Sequence, residues 1–348
     1  MLRAVHKHGT ALRLGTIGAG NDHRLGANEA PPAILSVYLG EQLTGVLDGI
    51  ISGHGPKSKK SGFMEVGVST LPPLPVDLSD RNRTSPFAFT GNKFEFRSVG
   101  ASQSVAPVNI VLNAAVACAL DDIATELEAS ISAGADLNAA LQELLPRVFK
   151  AHMPVVFNGN GYAESWKAEA ARRGLPNHNN TVTALEHYSD PDVMNVFLRH
   201  GILTEREILS RQEILLENYC KTICIEGNLM LDMLRTSVLP QCLEAQSRAA
   251  DAVIKTRAVS GENMAVAEEK YFNKLHTCIF ELQNSMDDLE HAIARTVTSN
   301  GVLEEAKAAR DGILTAMNGC REHADSLEGL VDDTLWVLPK YAELLWSH

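Results

Sequence analysis

The last third of the chain leaves the least freedom of fold. Phe272, Leu275, Ile279, Leu282, Met286, Leu289 and Ile293 follow one another at alternating steps of three and four, which puts them on one helical stripe. Ser299-Asn300-Gly301 interrupts the run. Val302, Ala306, Ala309, Ile313, Ala316, Cys320, His323, Leu327 and Leu330 then resume the same spacing. Two helices of this kind joined by a tight turn are expected to form an antiparallel helical hairpin. The small residues of the second stripe allow close approach. His323 within it reads as a hydrogen-bonded core histidine, and Trp336 and Trp346 beyond it as packing anchors.

Upstream, the helix signals are shorter. Residues 2–15 suit a helix ended by Gly15, Gly18 and Gly20, and Ile34, Val37, Tyr38, Leu47, Ile50 and Ile51 suit another over 33–51. Val108 to Leu127 reads as a buried helix, and Asp136 caps one that Pro146 should end. His152 to Tyr162 reads as a short strand and a glycine turn, followed by a helix to Arg173 stopped by Gly174. Asp190-Pro191 opens a helix closed by Gly201, and Thr204-x-x-Glu207 is a capping box before a helix to about Leu234. Residues 52–80, with Lys57, Lys59 and Lys60, read as a solvated loop.

Charge divides the chain. The net charge is -12, yet residues 1–100 hold 11 basic and 8 acidic side chains against 20 and 35 in the remainder. A basic head able to meet anionic ligands is joined to an acidic body, which argues against nucleic acid as partner. Six cysteines in apparently helical segments, Cys220 and Cys224 one turn apart among them, read as reduced thiols of a cytoplasmic protein. No apolar run approaches the roughly 20 residues that span a bilayer, so no membrane is expected. Arg3, Lys7 and Arg13 precede the first acid, Asp22, as in a transit peptide, but the stretch runs unbroken into a motif and reads as part of a folded domain.

Arg81 to Arg97 is where chemistry concentrates. Phe87 and Phe89 alternate with Ala88, Thr90-Gly91-Asn92 signals a turn, and Lys93-Phe94-Glu95-Phe96-Arg97 alternates strictly. The pattern predicts a β-hairpin with Phe94 and Phe96 on one face and Lys93, Glu95 and Arg97 on the other. That polar face suits a metal, an anionic substrate, or a solvated edge with cross-strand ion pairs. Phosphate-loop, dinucleotide, zinc-protease and serine-hydrolase motifs are all absent. What remains in the basic head is Arg24, Glu29, Arg81, Arg83, Lys93, Glu95 and Arg97. Surplus guanidinium groups suit carboxylates and phosphates, and a carboxylate among them suits a divalent cation bridging phosphates. The set points to phosphoryl transfer or phosphate binding.

Arg24-Leu25-Gly26-Ala27-Asn28-Glu29-Ala30-Pro31 resembles the Arg-Leu…Glu-Ala-Pro signature of glutamine synthetases. Asn82-Arg83-Thr84-Ser85 and Phe94-Glu95-Phe96-Arg97 resemble their Asn-Arg-Ser and hydrophobic-Glu-x-Arg elements. The wording from Gly20 to Pro32, and from Phe157 to Tyr162, is similar to the type III branch. The resemblance implies an α+β fold: an incomplete glutamine-synthetase-type catalytic domain of antiparallel strands with helices over 1–150, then a mainly helical C-terminal domain with the helical hairpin over 151–348.

It also implies roles. Arg24 matches the arginine on the reacting glutamate carboxylate, and Glu29 the flap acid that helps take a proton from ammonium. Arg83 matches an arginine facing the nucleotide phosphates and the transferred phosphoryl group, and Lys93 stands where an arginine near the nucleotide is usual. Glu95 matches a metal ligand and Arg97 an arginine holding glutamate. The implied activity is ATP-dependent ligation of ammonia to glutamate through γ-glutamyl phosphate, with Mg2+ or Mn2+, in a homo-oligomer with dodecameric ring symmetry. There are three departures. The Arg24 to Glu29 spacing is one residue shorter than in the common bacterial enzymes. Ala88 stands where those enzymes carry an arginine. The family's other metal-ligand glutamates and histidine, its Asn-Gly loop and its β-grasp domain belong upstream of these motifs, so the chain is expected to be a C-terminal portion inactive alone. The alternative is a non-catalytic helical assembly or interaction protein derived from that family.

Overall fold

In the computed structural model, residues 1–27, 30, 32–54, 63–64, 74–75, 84–261 and 264–345 are described. The chain divides into two compact units, Met1–Ile214 and Leu215–His348, and is mostly helical with a small three-stranded sheet.

The first unit begins with α1 (Leu2–Lys7) and α2 (Gly9–Leu14), two short helices broken at His8 where one was expected. They bury Leu2, Val5, Leu12 and Leu14, and their cations are paired: Arg3 with Glu126 at 2.6 Å, Lys7 with Asp122 at 2.8 Å. A helical turn, α3 (Ala19–Asp22), follows. The helix expected over 33–51 is instead split into β1 (Val37–Tyr38) and α4 (Gly40–Ser52). Gly40, at φ +74°, makes the left-handed corner that ends one and starts the other. β1 lies parallel to β4 (Phe87–Phe89), Val37 opposite Phe87, and on its other side Phe157 N donates to Val37 O at 2.9 Å. Pairing on both sides fixes Val37 as strand although its spacing suits a helix. β2 (Phe63–Met64) and β3 (Leu74–Pro75) form a separate antiparallel pair. β5 (Phe94–Phe96) pairs antiparallel with β4, so the sheet is mixed rather than antiparallel throughout.

α5 (Ala106–Ser132) buries Val108, Val111, Ala115 and Cys118 against α1, α2, α6 and α9. It is buried on one side rather than all round, with Ile110 and Leu120 exposed. By length and composition alone it is apolar enough to cross a membrane, mean hydropathy 1.4 over its most apolar stretch, against the expectation that no such run exists. Asp121 and Asp122 on it both pair with Arg199 at 2.5 Å. Asp136 caps α6 (Leu137–His152) as expected, accepting from Asn138 N at 3.0 Å, but Pro146 does not end the helix. Ala140, Leu144, Val148 and His152 are buried at steps of four on both sides of the proline. Gln142, whose carbonyl loses the proline's missing N–H, is exposed to water. α7 (Glu164–Arg172), α8 (Thr181–Glu186) and α9 (Pro191–Leu198) complete this part. Trp166, stacked on Phe157 at 3.6 Å, anchors it.

α10 (Glu205–Met233) starts at the predicted capping box: Thr204 N donates to Glu207 Oε2 at 2.7 Å, and Glu207 N to Thr204 Oγ1 at 3.3 Å. It does not stop near Leu234. A π-helical segment, Leu234–Val238, carries it into α11 (Leu239–Ser260). Pro240 lacks the N–H that would continue the i→i−4 ladder, and a wider turn accommodates it.

In the second unit α12 (Val266–Val297) packs on α11 and on α14 (Leu314–Glu328), which α13 (Val302–Ala308) and a second π-helical segment, Ala309–Ile313, precede. Leu275, Ile279, Leu282, Met286 and Leu289 are buried on α12, and Ala306, Ala309, Ile313, Cys320 and Leu327 after the turn. Gly312 approaches Ala292, Gly319 approaches Ser285, His323 meets Glu281 at 3.6 Å, and Tyr271 Oη donates to Leu330 O at 2.6 Å. These pairs recede together from the turn at Gly301. On α10 a Cβ at Gly227 would lie 2.9 Å from Ile313 and 3.3 Å from Ile293, so glycine permits that helix its close approach. His323 is half-buried beside Glu281. A short helix, α15 (Tyr341–Leu345), follows. Trp336 is half-buried, and Trp346 and the Lys57, Lys59 and Lys60 loop lie outside the described residues. All six cysteines are free thiols; burial pushes Cys220 up to about 12, and Cys242 and Cys320 to about 11.

Candidate active site

The hairpin forms in the register its alternation requires. Phe87 lies opposite Phe96, Ala88 opposite Glu95 and Phe89 opposite Phe94, and Thr90 N donates to Lys93 O at 2.9 Å to close the turn. The rings of Phe94 and Phe96 sit 5.5 and 5.4 Å from that of Phe87, which fixes one face by packing. The other face carries the charge. Glu95 accepts from Arg97 Nη2 at 3.1 Å through one oxygen, and its second oxygen lies 3.2 Å from Lys93 Nζ and accepts from Thr90 Oγ1 at 3.3 Å. The hydrogen bond from Arg97, then that from Lys93, holds the Glu95 carboxyl below the usual range. Lys93 is 64% exposed and Arg97 13%, so the arginine is the fixed partner and the lysine the solvated one.

Arg24 reaches the same strand from the loop after α3. Its Nε donates to Asn21 Oδ1 at 3.0 Å, and its Nη2 to Val99 O at 3.0 Å and, more weakly, to Arg97 O at 3.5 Å. Residues 73 positions apart are thus held together through the backbone that leaves β5. Behind Arg24, Asp22 accepts from Thr181 N and Thr181 Oγ1, both at 2.8 Å, and from Arg13 Nη2 at 3.3 Å. Burial raises the Asp22 carboxyl and lowers the Arg13 guanidinium, while the bonds from Thr181 and their mutual attraction oppose it. Asn158 in the glycine turn accepts from Leu39 N at 3.1 Å and Gly40 N at 3.2 Å, capping the start of α4. Beside the hairpin turn opens a cleft of about 290 Å3, lined mainly by Leu39, Leu43, Val46 and Phe89.

Arg24, Lys93, Glu95 and Arg97 therefore share one wall. Glu29 and Arg83 lie outside the described residues. Ala88 is fully buried opposite Glu95, so no cation projects from that position. Among the described residues no three His, Cys, Asp or Glu side chains are grouped to hold a metal ion. A carboxylate already in two ion pairs offers little of the six-oxygen shell a hard divalent ion takes; the described donor set does not fit one. Asn21, Asp22 and Asn158 are the residues whose part here the sequence left unread. Their signal is slight: short polar groups at or near glycines, each bonding backbone far away in sequence.

Residues 140–257 match the model of the glutamine synthetase C-terminal domain. The chain is 39% identical over 353 residues to a type-3 glutamine synthetase of Dictyostelium discoideum, covering 99% of this chain and 48% of that protein. It is 35% identical to glutamine synthetases of Bacteroides fragilis (strain YCH46) and Butyrivibrio fibrisolvens, covering 100% of this chain and 49% of each. The chain spans about half the length of the relatives it matches. With similarity that runs from end to end at this level, and a match to the C-terminal domain within it, the chain belongs to the glutamine synthetase family.

Proposed function

We propose that the wall of Arg24, Lys93, Glu95 and Arg97 is part of a glutamate–ammonia ligase site. The observation that carries the reading is the attachment of Arg24 to the carbonyls of Arg97 and Val99, which brings two guanidinium groups to one strand end. Fixed cations of this kind suit an anionic amino acid and, beside it, a phosphorylated nucleotide. In this reading Arg24 and Arg97 hold glutamate, Arg83 and Lys93 face ATP, Glu29 assists proton removal from ammonium, and Glu95 would be one ligand of Mg2+ or Mn2+ only where others from beyond this wall join it. Residues 1–150 act as the C-terminal half of a catalytic domain and 151–348 as the helical domain of the type III branch. The site is cytoplasmic and works within a homo-oligomeric ring.

The described donor set supports a chain that does little by itself. Ligation through γ-glutamyl phosphate uses two or three divalent ions in the family, and among the described residues the wall offers one carboxylate, held by two cations. The purified chain is therefore expected to bind glutamate weakly, to lose that binding in Arg24→Ala and Arg97→Ala, and to show no ligase turnover with ATP and Mg2+. Unchanged glutamate binding in both variants would remove the wall from the reading. Turnover, or tight capture of a γ-glutamyl-phosphate analogue, would show the site to be complete. The ion-paired state of Glu95 also favours a second reading, a helical assembly protein of the same family without catalysis. Absence of any glutamate binding together with stable self-association would select it.

A further inference from the structure

We infer that Asn21 is the positioning residue of Arg24. Its side chain is 3% exposed and makes three bonds at once: Oδ1 accepts from Arg24 Nε at 3.0 Å, and Nδ2 donates to Thr16 O at 2.6 Å and Ser98 O at 2.9 Å. A carboxamide alone among side chains of this size offers an acceptor to a guanidinium and two donors to carbonyls. The two carbonyls belong to the loop after α2 and to the residue following Arg97, so the amide plane is fixed by the elements that flank the wall. Its oxygen then dictates the plane of the Arg24 guanidinium, whose Nη2 is left to meet Val99 O and Arg97 O. Gly100 borders the same space: a Cβ there would lie 3.4 Å from Asn21 Oδ1. The geometry stands independently of any ligand; the link to a carboxylate substrate rests on the function proposed above.

Substitutions separate the two halves of the amide. Asn21→Ala removes the acceptor from Arg24 and the donors from both carbonyls. Asn21→Asp keeps an acceptor for Arg24 but turns an oxygen toward two carbonyl oxygens, so it weakens the fold while still holding the guanidinium. In the full-length chain the Arg24 Nε–H is observed by 15N NMR, assigned by its loss in Arg24→Lys, and L-glutamate is the titrant. In Asn21→Ala its exchange with water is expected to rise about ten-fold, as for loss of one charge-assisted hydrogen bond. In Asn21→Asp it stays protected although thermal stability falls. Unchanged protection in Asn21→Ala, or exchange that simply follows stability in both variants, would overturn the inference. Protection behaving as expected with no response of this resonance to glutamate would uphold the positioning and reject the ligase reading instead.

Discussion

The helix pair of the second unit and the polar wall of the first are held by opposite means. Along α12 and the helical run from α13 to α14 the contacts are apolar, periodic and buried: Leu275, Leu282, Leu289, Ala306, Ile313 and Leu327 have essentially no exposure. At the wall, Arg24, Lys93, Glu95 and Arg97 are half-buried or exposed, and what fixes them is hydrogen bonding to carbonyls and one carboxylate. A seam of the first kind stabilises in proportion to area removed from water. A wall of the second kind contributes little net stability but sets direction, because each bond has an angle.

The largest effects are expected where burial is complete. Leu282→Ala should cost about 2–5 kcal/mol, read as faster hydrogen exchange along α12 and α14. Phe87→Ala, beneath the wall, should cost about 3–5 kcal/mol and loosen β4 and β5. A loss under about 1 kcal/mol for either would mean that its site relaxes, and the contrast between seam and wall would blur.

Acid should sharpen the contrast next. In the first unit burial lowers His152 to about 4, with His6, Arg3 and Lys7 adding to it, and burial lowers His178 to about 4, with His187 and Arg13 adding. His6 Nδ1 and His152 Nδ1 are 2.9 Å apart, a bond that needs one donor and one acceptor and cannot survive double protonation. Asp122 and Glu126 face Lys7 and Arg3 from α5: opposed by burial, the bonds from Lys7 and Arg199 bring Asp122 to about 2, and the bond from Arg3 lowers Glu126. A histidine whose folded pKa lies below its unfolded value binds its proton more readily unfolded. Its contribution is therefore full above about pH 6.5 and lost as pH falls toward 4. After screening this should amount to about 1–2 kcal/mol, seen as a falling urea midpoint that His152→Gln flattens. A midpoint flat from pH 7 to 4 would count against it.

The same contrast explains what was legible. The seam could be read because burial repeats every three or four residues and leaves a trace in composition. The hairpin could be read because β alternation has an equally short period, and its register followed. Val37 could not: its spacing fits a helix, and strand pairing with Phe87 and Phe157 from distant segments overrides it. At Pro146 local propensity ends a helix, whereas the buried Leu144 and Val148 on either side carry it through. Of the wall, the charged residues were named from pattern and resemblance. Asn21 was not, because an amide bonding Thr16, Ser98 and Arg24 has no period at all.

Thr204 tests the comparison at smaller scale, since a capping box is directional bonding that does stabilise. Thr204→Ala should remove the reciprocal bonds with Glu207 and cost about 1 kcal/mol. Hydrogen exchange in the first turn of α10 reads the effect, and a change confined to noise there would show the box to be ornamental.

Glu95→Gln should have the smallest effect on stability and the most to say about the wall. Its two ion pairs are partly exposed, and surface pairs contribute between about 0 and 1 kcal/mol, so the melting temperature should barely move. The amide still accepts from Arg97, and only Lys93, already largely in solvent, loses a partner. The informative readout is Mn2+. With one carboxylate committed to two cations, wild type and Glu95→Gln should both lack saturable binding in the micromolar range. Micromolar binding by wild type that disappears in Glu95→Gln would mean that residues beyond the described ones complete a metal site around this carboxylate. Lys93 and Arg97 would then be placeholders for the ion rather than its replacement, and the wall would be a working half of the ligase instead of a fixed cationic surface.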